Sequence, residues 1–120
     1  MPQFVALIYE PTSARVSPEN PEFASYMQGY SDFGAVAGHA IRGGAALDVP
    51  EHATTIHVEG GREGRVVMTD GPFAEGKEFL GGFYILEAED LDAAVKLARH
   101  IPAAWRDGGR VEVRPSMPGM

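Results

Sequence analysis

The sequence contains no cysteine, little positive charge and no long apolar run. Without cysteine the chain can form no disulfide, no thiolate nucleophile and no cysteine-ligated zinc site. Its 10 Lys and Arg residues stand against 17 Asp and Glu residues, which gives a formal net charge of −7. Because the basic residues are scattered and an acidic surface repels phosphate backbones, we expect no nucleic-acid partner.

Hydrophobic segments of the length that targeting or membrane insertion requires are also missing. The first apolar run, Phe4 to Ile8, has no basic residue before it and is too short for a signal peptide. No stretch approaches the ~18 apolar residues of a membrane span, so we expect a cytoplasmic protein without a membrane partner. The 120 residues predict one domain over 1–120, since a chain of this length buries about two-thirds of its unfolded surface.

Apolar patterning predicts six short strands. The runs at Phe4–Ile8 and Phe79–Leu86 are apolar on both parities, which is typical of a strand covered on both faces. Two strands on either side of the turn Gly60–Gly64 form a predicted β-hairpin. The predicted strands are Gln3–Tyr9, His39–Arg42, Thr54–Glu59, Arg65–Thr69, Phe79–Leu86 and Arg110–Arg114.

Two helices are predicted between the strands. An Asn20 cap with Pro21 at the first helical position starts a helix that ends near Gly38. A loop is expected from Gly43 to Pro50. The second helix is capped by Asp90 and closed by Pro102. Its predicted buried stripe consists of Leu91, Ala94, Val95 and Ala98.

Two helices can cover only one face of a sheet of this size. Because two strands are apolar on both sides, the second face needs another cover, and a second copy of the chain is the simplest one. The alternative is that the loops at Pro11–Pro21 and Arg42–Ala53 fold back over that face. The sequence therefore predicts an α+β ferredoxin-like sandwich with an inserted β-hairpin, paired sheet to sheet as a homodimer.

The densest group of candidate functional residues follows the strand that ends at Thr69. Asp70-Gly71-Pro72 predicts a tight turn in which Gly71 takes a positive φ and the Asp70 side chain accepts backbone hydrogen bonds. A carboxylate held at a strand end also suits acid–base chemistry, with Phe73 as the wall of a cleft and Lys77 as a counter-charge. Asp70 is thus either a turn residue or a catalytic group.

Two further residues are candidates for the site. A short strand could aim His39 at the cleft, and the hydroxyl of Tyr30 could line a pocket between helix and sheet. His52 and His57 fall on opposite faces of a strand, so we expect no shared metal ion. The paired glycines have no nucleotide-loop context, and no cofactor is expected.

The string DGPFAEGKEFLGGFYILEAEDLDAAVKLA, followed by HIPA and GGRVEVRP, resembles the YCII-related, or DGPF-domain, family of small bacterial proteins. The resemblance covers essentially the whole chain from FVALIYE onward, and it implies a ferredoxin-like dimeric α/β-barrel. Relatives of the YCII branch carry a histidine on the first helix and an aspartate near the sheet, suggested as a catalytic pair. This first helix offers Tyr26 and Tyr30 instead, so only Asp70 carries over. Some members lie beside extracytoplasmic-function sigma factors, which implies a regulatory protein partner.

Two functions from different classes follow. The first is a small-molecule-binding or regulatory homodimer whose pocket lies near the DGPF turn and includes Tyr30, His39, Phe73 and Lys77. The alternative is a cofactor-independent enzyme in which Asp70 exchanges a proton with a small substrate. The shortage of convergent ionisable groups favours the first hypothesis, and neither the ligand nor the presence of catalysis follows from the sequence.

Overall fold

A four-stranded antiparallel sheet with helices on one face organises the computed structural model, which describes residues 1–118. The elements are β1 (Gln3–Pro11), α1 (Phe23–Ala37), β2 (Ile41–Ala46), β3 (Thr54–Glu59), β4 (Arg65–Asp70), β5 (Glu78–Glu87), α2 (Leu91–Ala98), α3 (Pro102–Trp105) and β6 (Arg110–Pro115). The sheet order is β2-β5-β1-β6, and β3 and β4 form a separate hairpin. The mixed α+β prediction is confirmed, and the arrangement is compatible with a ferredoxin-like fold.

β1 lies inside the sheet, and its alternating side chains define the two faces. Its even-numbered residues face the helices and are buried, namely Phe4, Ala6, Ile8 and Glu10. The odd-numbered Val5, Leu7 and Tyr9 point to the other side and stay partly exposed, because successive side chains in a strand alternate. We call the side that carries Leu7 and its cross-strand neighbour Phe83 the open face.

The core lies between the helices and the even-numbered side of β1. Phe33 of α1 and Ile101, which precedes α3, have no solvent exposure. The Phe33 ring packs against the ring of Tyr84 at a centroid distance of 4.8 Å. None of the helices within residues 1–118 has both the length and the apolar composition needed to cross a membrane.

The β3–β4 hairpin stands away from this core. It lacks extensive packing against the four-stranded sheet, and one of its faces exposes Ile56 and Met68. The radius of gyration is 16.4 Å, against about 13–14 Å for a compact chain of this length. The predicted hairpin is therefore confirmed. It projects away from the four-stranded sheet, and we call it the arm.

The first helix begins two residues later than predicted. Asn20 does not cap it, because its side chain accepts a hydrogen bond from the Glu22 amide at 2.8 Å and closes a turn before the helix. α1 begins at Phe23 without a side-chain cap. Gly38, with φ of 53°, ends the helix where the sequence predicts.

The segment after α1 corrects two further predictions. His39 lies in a 3₁₀ turn at 38–40 rather than in a strand, and Gly43 and Gly44 lie within β2 rather than in a loop. A Cβ on Gly44, where φ is 146°, would lie 2.3 Å from the Phe83 carbonyl oxygen. Gly44 is thus required in β2, because β2 and β5 approach each other too closely for a side chain at this position.

The second helix is capped as predicted, but its buried stripe is narrower. The Asp90 side chain accepts a hydrogen bond from the Ala93 amide at 2.8 Å. Ala94 and Ala98 are buried, whereas Leu91 and Val95 are 47% and 48% exposed. Because α2 packs through these two alanines, the larger side chains of Leu91 and Val95 lie at the edge of the contact and remain exposed to solvent. Pro102 begins α3 instead of merely closing α2.

Phe33→Ala should lower the free energy of unfolding by about 3–5 kcal/mol, because it removes a fully buried ring and leaves a cavity. Val36→Ala, one turn along the exposed side of the same helix, should change it by less than about 0.5 kcal/mol. Urea unfolding followed by circular dichroism compares the two. Equal losses would contradict the assigned core.

Candidate functional site

Glu10 is the one buried charged side chain found within residues 1–118, at 6% exposure. It ends the even-numbered row of β1 and therefore points toward the helices. Burying a carboxylate is unfavourable unless it is paired and hydrogen-bonded. The fold must therefore supply partners for it.

Two side chains from other parts of the chain contact this carboxylate, and a third contacts one of the two. Arg106 Nη1 lies 2.6 Å from Glu10 Oε2. The Tyr26 hydroxyl donates a hydrogen bond to Glu10 Oε1, and the Tyr26 and Tyr30 hydroxyl oxygens are 3.3 Å apart. These four residues form what we call the Glu10 cluster.

The helical repeat aligns the two tyrosines. Tyr26 and Tyr30 lie four residues apart on α1, so both project from one side of the helix. Their rings meet edge to face at a centroid distance of 5.3 Å. The guanidinium of Arg106 lies 5.6 Å from the centre of the Tyr26 ring, so a single cation contacts both the carboxylate and the ring.

Both tyrosines hold their protons strongly. Burial raises the pKa of Tyr26 far above its usual range, and the hydrogen bond to Glu10 adds to the effect. Burial also raises the pKa of Tyr30, to about 12. At neutral pH both side chains are therefore neutral hydroxyls rather than phenolates.

A cleft of about 420 Å³ opens beside these tyrosines, between α1 and the sheet. The register places Ala46, Gly82 and Ile8 side by side on the helix-facing side. Because Gly82 and Ala46 carry little or no side chain, the helix and the sheet edge do not close on each other. We call this space the tyrosine cleft, and it is lined by Ile8, Tyr26, Met27, Tyr30, Gly44, Ala45, Ala46, Gly81, Gly82, Phe83 and Tyr84.

A second cleft, of about 490 Å³, lies at the DGPF turn, Asp70 to Phe73. Asp70 lines it together with Arg15 and Glu51, which form a bidentate pair at 2.7 and 2.8 Å. The Arg15 guanidinium also lies 4.9 Å from the centre of the Phe79 ring. We call this space the DGPF cleft.

A third cleft, of about 380 Å³, has lining residues in common with the other two and is lined in part by Glu10. It shares Arg15 and Phe79 with the DGPF cleft, and Tyr26 and Gly81 with the tyrosine cleft. The three clefts are thus neighbours along one groove with Glu10 near its middle. Asp70 and Tyr30, two of the residues singled out from the sequence, line opposite ends of this groove.

The DGPF turn has the predicted backbone but not the predicted bonding. Gly71 has φ of 98°, as expected. Its amide donates to the Ala53 carbonyl at 2.7 Å, and the Thr55 hydroxyl donates to its carbonyl at 2.8 Å. The exposed Asp70 side chain makes no hydrogen bond within residues 1–118, so the turn is fixed by its backbone and by Thr55.

The other predicted site residues are not gathered at the groove. Phe73 is 91% exposed, and Lys77 and His39 are exposed as well. The Lys77 backbone carbonyl accepts a hydrogen bond from the Thr12 amide at 2.7 Å, while no ion pair joins its side chain to Asp70 among the described residues. A ligand-binding role for Phe73, His39 and Lys77 stays a prediction.

Neither Glu10 nor Arg106 is predicted from the sequence as a site residue. The pattern of β1 could have identified Glu10, because Glu10 continues the alternating row of Phe4, Ala6 and Ile8 and therefore lies on the face that the helices cover. No local pattern indicates Arg106, which follows a four-residue helix 96 positions away. In the part of the chain that the structure describes, no group of three or more His, Asp or Glu residues is placed to hold a metal ion.

Arg106→Met should lower the free energy of unfolding by about 3–5 kcal/mol, since it leaves the buried Glu10 carboxylate without its cation. Arg114→Met is the matched control, because Arg114 pairs with Glu112 at the surface and should contribute at most about 1 kcal/mol. Adding Glu10→Gln to Arg106→Met should recover part of the loss. Urea unfolding measures all four proteins, and equal losses in the two arginine variants would contradict the buried pair.

Comparison with known proteins agrees with the resemblance noted in the sequence. A family model for the YCII-related domain matches residues 3–118. An uncharacterised protein of Rhizobium meliloti (strain 1021) is 46% identical over 52 residues, a match that covers 43% of this chain and 42% of that protein. The match to this relative therefore spans less than half of its length. Because the family model covers almost all of the described chain, the protein belongs to the YCII-related family.

Proposed function

We propose that the protein binds a small organic molecule in the groove and acts as a homodimer that pairs through the open face. One observation carries the binding proposal. The buried Glu10 carboxylate is linked by the hydroxyls of Tyr26 and Tyr30 to a cleft that is otherwise mostly apolar. Ligand sites in proteins combine these two features, an apolar wall and a few convergent polar groups.

A purely structural role explains the Glu10 cluster less well. Well-packed apolar residues stabilise a protein core as effectively as a buried ion pair, and often more so. The cluster also borders open space on two sides, since Tyr26 lines both the middle and the tyrosine clefts. Buried ionisable groups beside a cleft are candidates for function on physical grounds.

The DGPF end of the groove supports the same proposal with charged groups. Asp70 and the Arg15–Glu51 pair border the pocket that the sequence predicts near this turn. The alternative function, an enzyme that uses Asp70 for proton transfer, has weaker support. Asp70 is exposed, whereas the carboxylate whose surroundings are specialised is Glu10.

The open face supports pairing with a second copy. Its centre is apolar and only partly covered, with Val5 and Leu7 of β1 opposite Ile85 and Phe83 of β5. Charged pairs lie toward its margins, at Glu112–Arg114 and at Arg42–Glu87. An apolar centre with a polar rim is the usual anatomy of a protein interface.

The segment Arg42–Ala53, one of the two that could cover the open face, gives it little cover. Residues 41–46, part of which was expected in a covering loop, form the edge strand β2. Leu47 and Val49 border only the end of the open face, at Tyr9 and Leu80. Pairing of two open faces would give the dimeric α/β-barrel that the family resemblance implies, while the regulatory protein partner stays a prediction.

Ala46→Leu should abolish ligand binding, because it extends a side chain into the tyrosine cleft from the small-residue floor. Ala35→Leu adds the same volume on the exposed side of α1 and is the matched control. A fragment library screened by ligand-observed NMR against the natural protein and both variants measures the effect. Fragments that bind all three proteins equally would contradict a site in this cleft.

Leu7→Lys should convert the protein to a monomer at micromolar concentration, because it places a charge at the centre of the open face. Leu91→Lys, a substitution at a residue exposed on α2, should leave the dimer intact. Size-exclusion chromatography with light scattering gives the masses, and circular dichroism verifies folding. A natural protein that is monomeric in this range would refute the pairing.

A further inference from the structure

We infer that the tyrosine cleft selects small aromatic or conjugated molecules that carry a hydroxyl group, and that Tyr30 accepts the hydrogen bond from this hydroxyl. The inference rests on the proposed ligand site and adds the chemical class of the ligand. The observation behind it is the direction of the hydrogen bonds in the Glu10 cluster.

That direction follows from counting protons. A tyrosine hydroxyl has one proton to donate and two lone pairs that accept, whereas an ionised carboxylate only accepts. Glu10 is held by the Arg106 cation, so the bond between Glu10 and Tyr26 must use the Tyr26 proton. Tyr26 then has no proton left for Tyr30, and in the 3.3 Å contact between their oxygens Tyr30 is the donor.

The chain of bonds therefore runs from Tyr30 through Tyr26 to Glu10 and ends on a carboxylate. Tyr30 uses its single proton within the cluster, and its oxygen keeps acceptor capacity at the wall of the cleft. Burial raises the pKa of both tyrosines, so each hydroxyl carries its proton at neutral pH. A ligand that meets Tyr30 in this state has to bring a donor.

The rest of the cleft defines the body of the ligand. Met27, Ile8 and the ring of Tyr84 offer apolar and aromatic contacts, and the floor at Ala46 and Gly82 is flat because it lacks long side chains. A flat ring fits between such walls and gains from edge or face contacts with aromatic side chains. None of the described residues that line the cleft carries a positive charge, which disfavours carboxylates and phosphates. Phenols and enols combine the flat body with the neutral hydroxyl donor.

Two probes test this inference, 4-methylphenol and its methyl ether 4-methylanisole, which has no proton to donate and is larger by one methyl group. Each is titrated into the ¹⁵N-labelled full chain, and amide shifts report both the location and the affinity. We expect both probes to shift the amides of Gly44, Ala46 and Gly82, with 4-methylphenol binding about 3- to 10-fold more tightly, as one hydrogen bond provides.

Tyr30→Phe keeps the ring and removes only the hydroxyl, so it should reduce the preference for 4-methylphenol to about 1 and leave the affinity for 4-methylanisole unchanged. Tyr9→Phe removes a hydroxyl on the open face and should preserve the preference.

Three results would overturn the inference and are distinguishable from one another. If both probes shift the cleft amides with equal affinity, the cleft binds ligands but does not select a hydroxyl. If Tyr30→Phe keeps the full preference, a group other than Tyr30 selects the hydroxyl. If neither probe shifts these amides, the assigned ligand class is wrong. The proposed ligand site is then decided separately by the fragment screen with Ala46→Leu and Ala35→Leu.

Discussion

The ion pair between Glu10 and Arg106 is the interaction on which the arrangement of the site depends. It joins the end of β1 to the segment after α3, and the Tyr26 hydroxyl ties α1 to the same carboxylate. Three separate parts of the chain are thereby fixed around one charge that is removed from water. A buried carboxylate tolerates little rearrangement, because each lost partner leaves charge without compensation. The groove consequently has a rigid polar middle, while its walls are largely apolar or, at the DGPF end, charged and solvated.

Asp70 and Glu10, two carboxylates along the groove, differ in how they are held. Asp70 follows β4 on a turn that is fixed through the backbone and the Thr55 hydroxyl, and its own side chain is exposed to water. Glu10 has almost no contact with water and is bonded to both a cation and a neutral hydroxyl. Water screens charges at the first site far more than at the second. We therefore expect the tyrosine end to discriminate more strongly between polar groups of a ligand, because there the oriented hydroxyls of Tyr26 and Tyr30 face an apolar wall.

Most of the fold was predictable, because its elements are marked by local patterns. The hairpin, the Asp90 cap and the Gly38 helix end depend on residues that are close in sequence, and these predictions are confirmed. Gly43 and Gly44 were misassigned to a loop, since the need for glycine arises from a neighbouring strand 40 positions away. The site was harder to predict for the same reason. The parity of β1 identifies Glu10 as a carboxylate on the covered face, but nothing local connects it with Arg106.

The hairpin arm and the DGPF cleft are mechanically linked through the root of the arm. The strands β3 and β4 have little support from the rest of the protein, and an isolated two-stranded ribbon is only marginally stable in water. The base of the hairpin is closed where the Gly71 amide donates to the Ala53 carbonyl and the Thr55 hydroxyl donates to the Gly71 carbonyl. Asp70 and Pro72, which flank Gly71, also form part of the cleft wall. The turn that closes the arm is therefore also a wall of the DGPF cleft, so the position of the arm and the shape of that cleft depend on the same residues.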